Sequence, residues 1–415
     1  MKAFIINIGD ELLIGQVTNF NASWMAEQLN IIGVDVVRIN VISDKEDEIL
    51  NALGEAEKNA DVIVLTGGLG PTNDDITKET LCRFFNTHLV FDQATFDDIS
   101  GFFKQRSVTV TETNRKQAEV PAGCKIIRNV SGTAPGLWFE KNGKIFVATP
   151  GVPYEMKTMM STLILPLIEQ RLSGDTIVHK TILTQGVGES FLADMIVDWE
   201  NNLPENIRLA YLPSPGLVRL RLSARGADKA MLKRSIDEQV KKLQGIISQH
   251  IYGYDSETME QIIGKLLIEQ GKSVVTAESC TGGYIAHAIT RIPGSSAYFK
   301  GSVVAYSNEI KEEFLGVQHE TLVKYGAVSE ETVKEMATNA RIKLHADYAI
   351  SISGIAGPDG GTEEKPVGLV WIAVASAENI IAQKFQFGNI RMVNIERASV
   401  TALNMLRKEI IRSGK

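Results

Sequence analysis

The chain has 415 residues, enough at roughly 150 residues per domain for two or three packed cores. A hydrophobic fraction of 44% with a charged fraction of 22% excludes a disordered chain. Lys and Arg number 43 against 50 Asp and Glu, and the formal charge of -7 argues against direct, non-specific binding of nucleic acid, which needs a basic surface.

A first block runs from Met1 to about Ser173. Phe4–Ile8, Val34–Val41 and Asp61–Leu65 are apolar runs that predict buried strands, with helices over Asn19–Asn30 and Lys45–Asn59 between them. This alternation predicts a parallel sheet with right-handed crossovers, whose ligands bind beyond the carboxyl ends of the strands. A further strand is expected at Lys144–Ala148, then the turn Thr149-Pro150-Gly151-Val152-Pro153 and a helix over Tyr154–Glu169. The second block, Gly174–Asp255, predicts strand Ile177–Thr184, helix Glu189–Asn201 and strands Ile207–Leu212 and Leu217–Ala224. Helix Lys229–Ser248 and strand His250–Tyr254 complete the ferredoxin-like order β-α-β-β-α-β. A KH-type RNA module would need a GxxG loop, which this block lacks, so a structural or dimerising role is expected. The third block, Ser256–Lys415, predicts a second α/β domain. Its elements are helix Ser256–Glu269, strands Ser273–Ala277, Gly301–Tyr306, Tyr348–Ser353 and Val367–Ala375, and a helix near Val393–Arg412. Cys82, Cys124 and Cys280 form no CxxC pair, which excludes a zinc ribbon and a disulfide scaffold. The apolar opening is cut off at Asp10, too short for a signal sequence, and no run reaches the length of a membrane span. Free thiols in the cytoplasm are expected.

The run Thr66-Gly67-Gly68-Leu69-Gly70-Pro71-Thr72-Asn73-Asp74-Asp75 follows a predicted strand and precedes a helix. Gly67, Gly68 and Gly70 let backbone N–H groups approach a phosphate, and Thr72 adds a hydroxyl. Asp74 and Asp75 are hard oxygen ligands suited to a divalent cation. Asp44, Asp10 and Glu11 follow neighbouring strands and are expected at the same crevice, where so many acids are costly without a cation. The plainer alternative is a glycine turn with Asp74 or Asp75 capping the next helix.

These residues, with Gly9-Asp10-Glu11-Leu12, Asn19, Asn21 and Ser43-Asp44, resemble the molybdopterin-binding fold, a three-layer α/β domain. The resemblance is closest to its branch in the competence/damage-inducible CinA family and covers the whole first block, including Pro150-Gly151-Val152-Pro153. It implies a metal-dependent ADP-ribose pyrophosphatase with Mg, Mn or Co held by Asp44, Asp74 and Asp75, and a monovalent cation as a further candidate.

Glu278-Ser279-Cys280-Thr281-Gly282-Gly283 lies between a predicted strand and helix. A hydroxyl there sits where helix N–H groups can stabilise an oxyanion. No histidine completes a recognisable triad, so a lysine neutralised by burial is the alternative base. Tyr306 and Lys311 stand at the end of a strand and one turn into the next element, and Ser353–Gly361 is a third glycine-rich loop. Other readings stay open: Ser279 as a helix cap, Lys311 as a surface lysine, Tyr306 as half-buried core, Cys280 as nucleophile or as a small buried hydrophobe.

Glu278–Gly283, Pro293-Gly294-Ser295-Ser296, Gly301–Lys311, Gly326-Ala327-Val328-Ser329, Ser353–Gly361 and Lys365-Pro366-Val367-Gly368 resemble the CinA C-terminal domain, the NMN deamidase family. The resemblance implies hydrolysis of nicotinamide mononucleotide (NMN) to nicotinate mononucleotide and ammonia, without a cofactor. It makes Ser279 the nucleophile, Lys311 and Tyr306 the proton-transfer groups, and Ser353 a substrate contact. Thr281, Gly282, Gly283, Gly354 and Gly357 would line the substrate. The family's substrate arginine points to Arg391, but Gly388-Asn389-Ile390-Arg391 departs from the usual Gly-Asp-Arg, and Arg397 competes. Gly186-Val187-Gly188-Glu189-Ser190 also matches the full-length family; Glu189 either reaches a neighbouring site across a dimer or, more plainly, starts a helix.

Small nucleotides and a second copy of the chain are the expected partners, with no direct nucleic acid. The competing expectation is an adaptor for competence or recombination proteins whose nucleotide sites are vestigial.

Overall fold

The computed structural model describes residues 1–72, 74–172 and 176–414. Asn73 of the glycine-rich run and the expected block boundary at Ser173 and Gly174 lie outside the described residues. Two compact units form: Met1–Val178 with Arg225–Lys233, and His179–Ala224 with Arg234–Lys415.

The first unit is built on a six-stranded sheet. In space its strands run Asp35–Ile42, Lys2–Ile8, Val62–Thr66, Lys144–Thr149, Gly136–Lys141 and Lys125–Ile127. The first four are mutually parallel; Gly136–Lys141 pairs antiparallel with both of its neighbours, so Lys125–Ile127 runs the same way as the first four. Alternate side chains of a strand point to opposite faces, and here both faces are apolar. Phe4, Ile6, Ile63, Leu65 and Phe146 pack with Ile49 and Leu53 of helix Glu46–Asn59 and Leu81 of helix Thr77–Phe85. Ile5, Val62, Val64 and Val147 pack the other way, against Met25 and Leu29 of helix Phe20–Ile31 and Met156 and Met159 of helix Pro153–Met159. The result is three layers, helices on both faces of one sheet.

The sequence reading found the parallel strands because they are continuous apolar runs. It passed over the strands Gly136–Lys141 and Lys125–Ile127 and the pair Leu89–Phe91 with Glu119–Pro121, which are short or end in charged residues. The helix expected over Tyr154–Glu169 starts at Pro153 and loosens into a π turn at Met160–Ile164, just before Pro166, which has no N–H to donate.

In the second unit a four-stranded sheet has the spatial order Ile207–Ser214, Leu217–Gly226, Thr176–Gln185, Ile251–Tyr254. This is the order the β-α-β-β-α-β module requires. Leu183 and Tyr252 of this module share a core with Met259 and Ile263 of helix Met259–Gln270, so the predicted second and third blocks are packed together. The other sheet runs Phe299–Val304, Val274–Glu278, Tyr348–Gly354, Leu369–Ala375, Ile380–Gln386. Its first three strands are mutually parallel, and Leu369–Ala375 pairs antiparallel with both of its neighbours. Strand Ile380–Gln386 was not foreseen; half of it faces water and carries polar residues.

In both main sheets an early strand sits between its two later parallel neighbours, Lys2–Ile8 in one and Val274–Glu278 in the other. The chain leaves to one side and returns on the other, which opens a crevice at the carboxyl ends. The two residue clusters singled out from sequence lie at these two edges.

Candidate active sites

At the first edge the glycine loop is shaped by its glycines. A Cβ on Gly67, which has φ 113°, would lie 2.1 Å from the Ile8 carbonyl oxygen. One on Gly68, at φ 65°, would lie 2.2 Å from Thr77 Oγ1. Thr77 donates its hydroxyl to the Gly67 carbonyl at 3.1 Å and pins the loop to the next helix. The N–H groups of Gly68, Leu69 and Gly70 have no acceptor among the described residues, so they are available to an anion. Asn21, flagged from sequence, donates to the Gly151 carbonyl at 2.7 Å and ties the Pro-Gly turn to the crevice, while Asn19 caps its own helix.

The cleft here has a volume of about 380 Å³. Glu11, Asp44, Asp74 and Asp75 line it, as does Glu155, and among the described residues no lysine or arginine does. Asp44 Oδ2 accepts from the Asp10 N–H at 3.0 Å. Burial pushes the Asp44 carboxyl above its ordinary range; the Asp10 N–H opposes this, and the negative charges of Asp10, Glu11 and Asp74 add to it. Such crowding fits a cation. The ligand set expected from sequence is nevertheless not assembled. Among the described residues no three His, Cys, Asp or Glu side chains are gathered closely enough to hold a metal ion. Asp75 is turned onto the loop itself, where Oδ2 accepts the Thr72 N–H at 2.9 Å and the Thr72 hydroxyl. Hydrogen bonding from Thr72 also holds the exposed Asp74 carboxyl below its ordinary range. Thr72 and Asp75 therefore shape the loop, and Asp44 and Asp74 are left as carboxylates lining the cleft.

Glu155 escaped the sequence reading. It is buried, accepts from Asn129 Nδ2 at 2.7 Å, and is so closely wrapped that a Cβ on Gly132 would lie 2.2 Å from its carboxylate. Its signal was an acid two residues after Pro153, in the first turn of the following helix.

At the second edge Ser279 follows strand Val274–Glu278, and Lys311 Nζ lies 3.1 Å from its Oγ. Lys311 is 1% exposed and sits in helix Asn308–Glu313, which Ser307 caps. Its amine also lies 2.8 Å from the Ala305 carbonyl oxygen, with those of Tyr306 and Ser307 further off at 3.4 Å and 3.5 Å. Burial lowers its pKa, partly opposed by Cys280 and Glu309. Lys311 is thus no surface lysine. Cys280 is buried too, and burial pushes its thiol up to about 12, far from a thiolate. The nucleophile reading of Cys280 has no support here, and its packing role stands.

The side chain of Tyr306 is exposed rather than half-buried, and its hydroxyl meets Arg391 Nη2 at 3.1 Å. Arg391 Nη1 donates to the Gly357 carbonyl at 2.9 Å. Arg391 opens helix Arg391–Ser413 and is brought to Tyr306. Arg397 instead lies against Gly216, the turn of the middle module's hairpin. Ser353 is buried and donates its hydroxyl to the Ala327 carbonyl at 2.8 Å, leaving its oxygen as an acceptor. Gly354 and Gly357 are required by packing: a Cβ would lie 2.7 Å from the Leu369 carbonyl oxygen in one case and 2.6 Å from Val367 Cγ1 in the other. Glu189 opens helix Glu189–Asn201, as its plainer reading expects.

The turn after Ser279 differs from expectation. Glu278 is fully buried and its carboxylate accepts from Thr276 Oγ1, Thr281 Oγ1 and the N–H groups of Gly283, Ile285 and Ala286. The start of helix Tyr284–Thr290 is therefore already occupied by an anion of the protein. The Thr281 hydroxyl and Gly283 N–H, expected to face substrate, face Glu278. Gly282 donates its N–H to the Ser279 carbonyl at 3.0 Å. The N–H groups of Cys280 and Thr281 have no acceptor among the described residues and remain for an oxyanion.

Three family models match the chain: a probable molybdopterin binding domain over residues 4–170, a damage-inducible protein CinA KH domain over 179–253, and a CinA C-terminal domain over 256–410. A CinA-like protein of Cytophaga hutchinsonii is 48% identical over 408 residues, covering 98% of both chains. The chain belongs to the CinA family. A putative competence-damage inducible protein of Caldicellulosiruptor saccharolyticus is 41% identical, with 99% of this CinA-family chain and 100% of that relative covered. Among solved structures, the competence/damage inducible protein CihA of Agrobacterium tumefaciens is 40% identical, covering 37% of this chain and 96% of that one at a TM-score of 0.35. The middle block is KH-like by this match, although it lacks the GxxG loop. Among the described residues no helix is long and apolar enough to cross a membrane.

Proposed function

We propose that this CinA-family protein is a hydrolase with two separate sites, an NMN deamidase at Ser279 and an ADP-ribose pyrophosphatase at the glycine loop. The observation that carries the reading is the 3.1 Å approach of the buried Lys311 amine to Ser279 Oγ. A lysine whose charged form is disfavoured can take the hydroxyl proton as Oγ attacks the carboxamide carbon. The Cys280 and Thr281 N–H groups meet the developing oxyanion. The lysine returns its proton to the departing nitrogen, ammonia leaves, and water then hydrolyses the ester on Ser279 to release nicotinate mononucleotide. Arg391 and Tyr306, joined through the tyrosine hydroxyl, orient the substrate and its proton transfers.

At the first site the free N–H groups of Gly68, Leu69 and Gly70 would cradle a diphosphate. A divalent cation held by Asp44 and Asp74 would supply a polarised phosphoryl oxygen and an activated water. The protein's own part is to crowd those carboxylates and fix the loop through Thr72, Asp75 and Thr77.

The test is product analysis after incubating the purified protein with NMN or ADP-ribose, each with and without chelator. Nicotinate mononucleotide and ammonia are expected in both NMN samples, and AMP with ribose 5-phosphate only where no chelator is present. Absence of either product from its substrate contradicts that half of the proposal.

A further inference from the structure

Helix Arg391–Ser413 opens on Ile390, whose side chain offers no acceptor to the first turn. The turn before it is held in another way, wedged against two glycines. A Cβ on Gly368 would run into the carbonyl oxygens of Gly388 and Phe387, and one on Gly357 would lie 3.3 Å from that of Asn389. Phe387 donates its N–H to the Gly368 carbonyl at 2.8 Å, and Gly368 donates its own to the Ile355 carbonyl at 2.7 Å. The turn at residues 387–389 is thereby tied to the loop at residues 355–357.

Asn394 closes this circuit. It is 1% exposed and stands three residues after Arg391, on the same face of the helix. Its Nδ2 donates to the Ala356 carbonyl at 2.9 Å and to the Gly388 carbonyl at 2.9 Å. Both amide hydrogens are used, and the two carbonyls fix which way the amide turns. Its Oδ1 is buried with no hydrogen-bond partner among the described residues, so the donors are the working half of this side chain. Arg391 takes the next carbonyl of the loop, Gly357, with Nη1 at 2.9 Å, and extends Nη2 to the Tyr306 hydroxyl at 3.1 Å. Two consecutive carbonyls are thus held from one helix face. Arg391 is itself exposed, and a long exposed side chain keeps much rotamer freedom, so its aim depends on these anchors.

We propose that Asn394 is a positioning residue of the second site: it locks the loop at residues 355–357 to the opening of the last helix and so sets Arg391 against Tyr306. It acts through Arg391. Ser279 and Lys311 stand on other elements, so loss of the lock should weaken substrate binding more than the chemical step. This rests on the deamidase reading of the second site, and part of its test needs no turnover.

The experiment compares the full-length wild type with Asn394→Asp, Arg391→Ala and the double variant, by NMN deamidation kinetics and thermal unfolding. Aspartate keeps the shape and turns an oxygen toward the two carbonyls. Asn394→Ser, which keeps one donor, takes its place if the aspartate variant does not fold. Asn394→Asp should raise the KM for NMN about tenfold and leave kcat within about threefold, the effect of losing contacts that serve binding. Because Asn394 acts through Arg391, the double variant should match Arg391→Ala within about twofold in KM, where independent roles would multiply to about a hundredfold. A multiplied KM, or a fall in kcat with KM unchanged, would overturn the proposal. Hydrogen exchange resolved by peptide supplies the reading without turnover. Protection in Asn394→Asp should fall over residues 354–369 and 385–394 and hold over 274–290; no change, or an equal loss in all three, would overturn the lock. If the wild type forms no nicotinate mononucleotide, the deamidase reading fails, and the exchange pattern alone decides whether Asn394 holds Arg391's helix to the loop.

Discussion

Replacing Glu278 by glutamine keeps the side chain's shape and removes one acceptor oxygen from a carboxylate that five donors share. Oε2 accepts from Thr281 Oγ1 at 2.7 Å and from the N–H groups of Gly283 and Ile285, each at 3.1 Å. Oε1 accepts from Thr276 Oγ1 at 3.1 Å and the Ala286 N–H at 2.8 Å. With its NH2 toward Thr276 and Ala286, the amide can donate to the Thr276 hydroxyl, which itself reaches Ser302 Oγ at 2.7 Å, but it meets the Ala286 N–H donor to donor. Hydrogen bonds to a charged group contribute about 1.5–3 kcal/mol each, so losing that one costs about 1.5–3 kcal/mol. A domain's whole stability is about 5–15 kcal/mol, so Glu278→Gln should remove a measurable part of the second unit's stability. The assay is urea unfolding of the full chain with hydrogen exchange resolved by peptide over residues 274–290. Loss of protection there should exceed that at the first unit's sheet, and the NMN deamidation kcat should fall with the ordering of the Ser279 turn. A stability change below about 1 kcal/mol, within the range of ordinary surface substitutions, would refute the reasoning.

Lys311 must be neutral to accept a proton, so deamidation kcat/KM should rise with pH through one group titrating below the ordinary lysine value. Because its folded pKa is lowered, the unfolded chain binds more protons between the two values, and stability should rise with pH across that window. Lys311→Met should abolish turnover and flatten this rise in pH-dependent unfolding, and an unchanged slope contradicts the assignment. Cys280→Ala should keep at least a third of the deamidation rate, measured as ammonia released, because its thiol does not ionise near neutral pH. Arg391→Ala should raise the KM for NMN about tenfold or more, as loss of a charged contact does. Arg397→Ala should stay within about twofold, and the reverse order would exchange their roles.

The parallel cores were open to sequence because strands buried on both faces must be apolar throughout, as Phe4–Ile8 and Asp61–Leu65 are. Edge strands such as Ile380–Gln386 carry polar residues on their wet face, and their identity depends on pairing that sequence does not display. The same holds for the sites. Ser279, Lys311 and Tyr306 stood out by residue type beside strand ends; the fold brings Lys311 to Ser279, while the Tyr306 hydroxyl meets Arg391. Sequence could not tell which side of the turn each donor faces, so Thr281 and Gly283 were expected on substrate while Glu278 holds them. The resemblance pointed to Arg391 with Arg397 as a competitor, and packing sets Arg391 beside Tyr306 and Arg397 against Gly216. Glu155 lies far in sequence from the glycine loop, and only folding brings it to the cleft.

The claim of two independent sites is tested most directly by Ser279→Ala assayed on both substrates in one preparation. The account predicts that nicotinate mononucleotide formation disappears, with ADP-ribose hydrolysis and thermal unfolding within experimental error of wild type. Persistent deamidation in that variant, or equal loss of both activities in a folded protein, would contradict it.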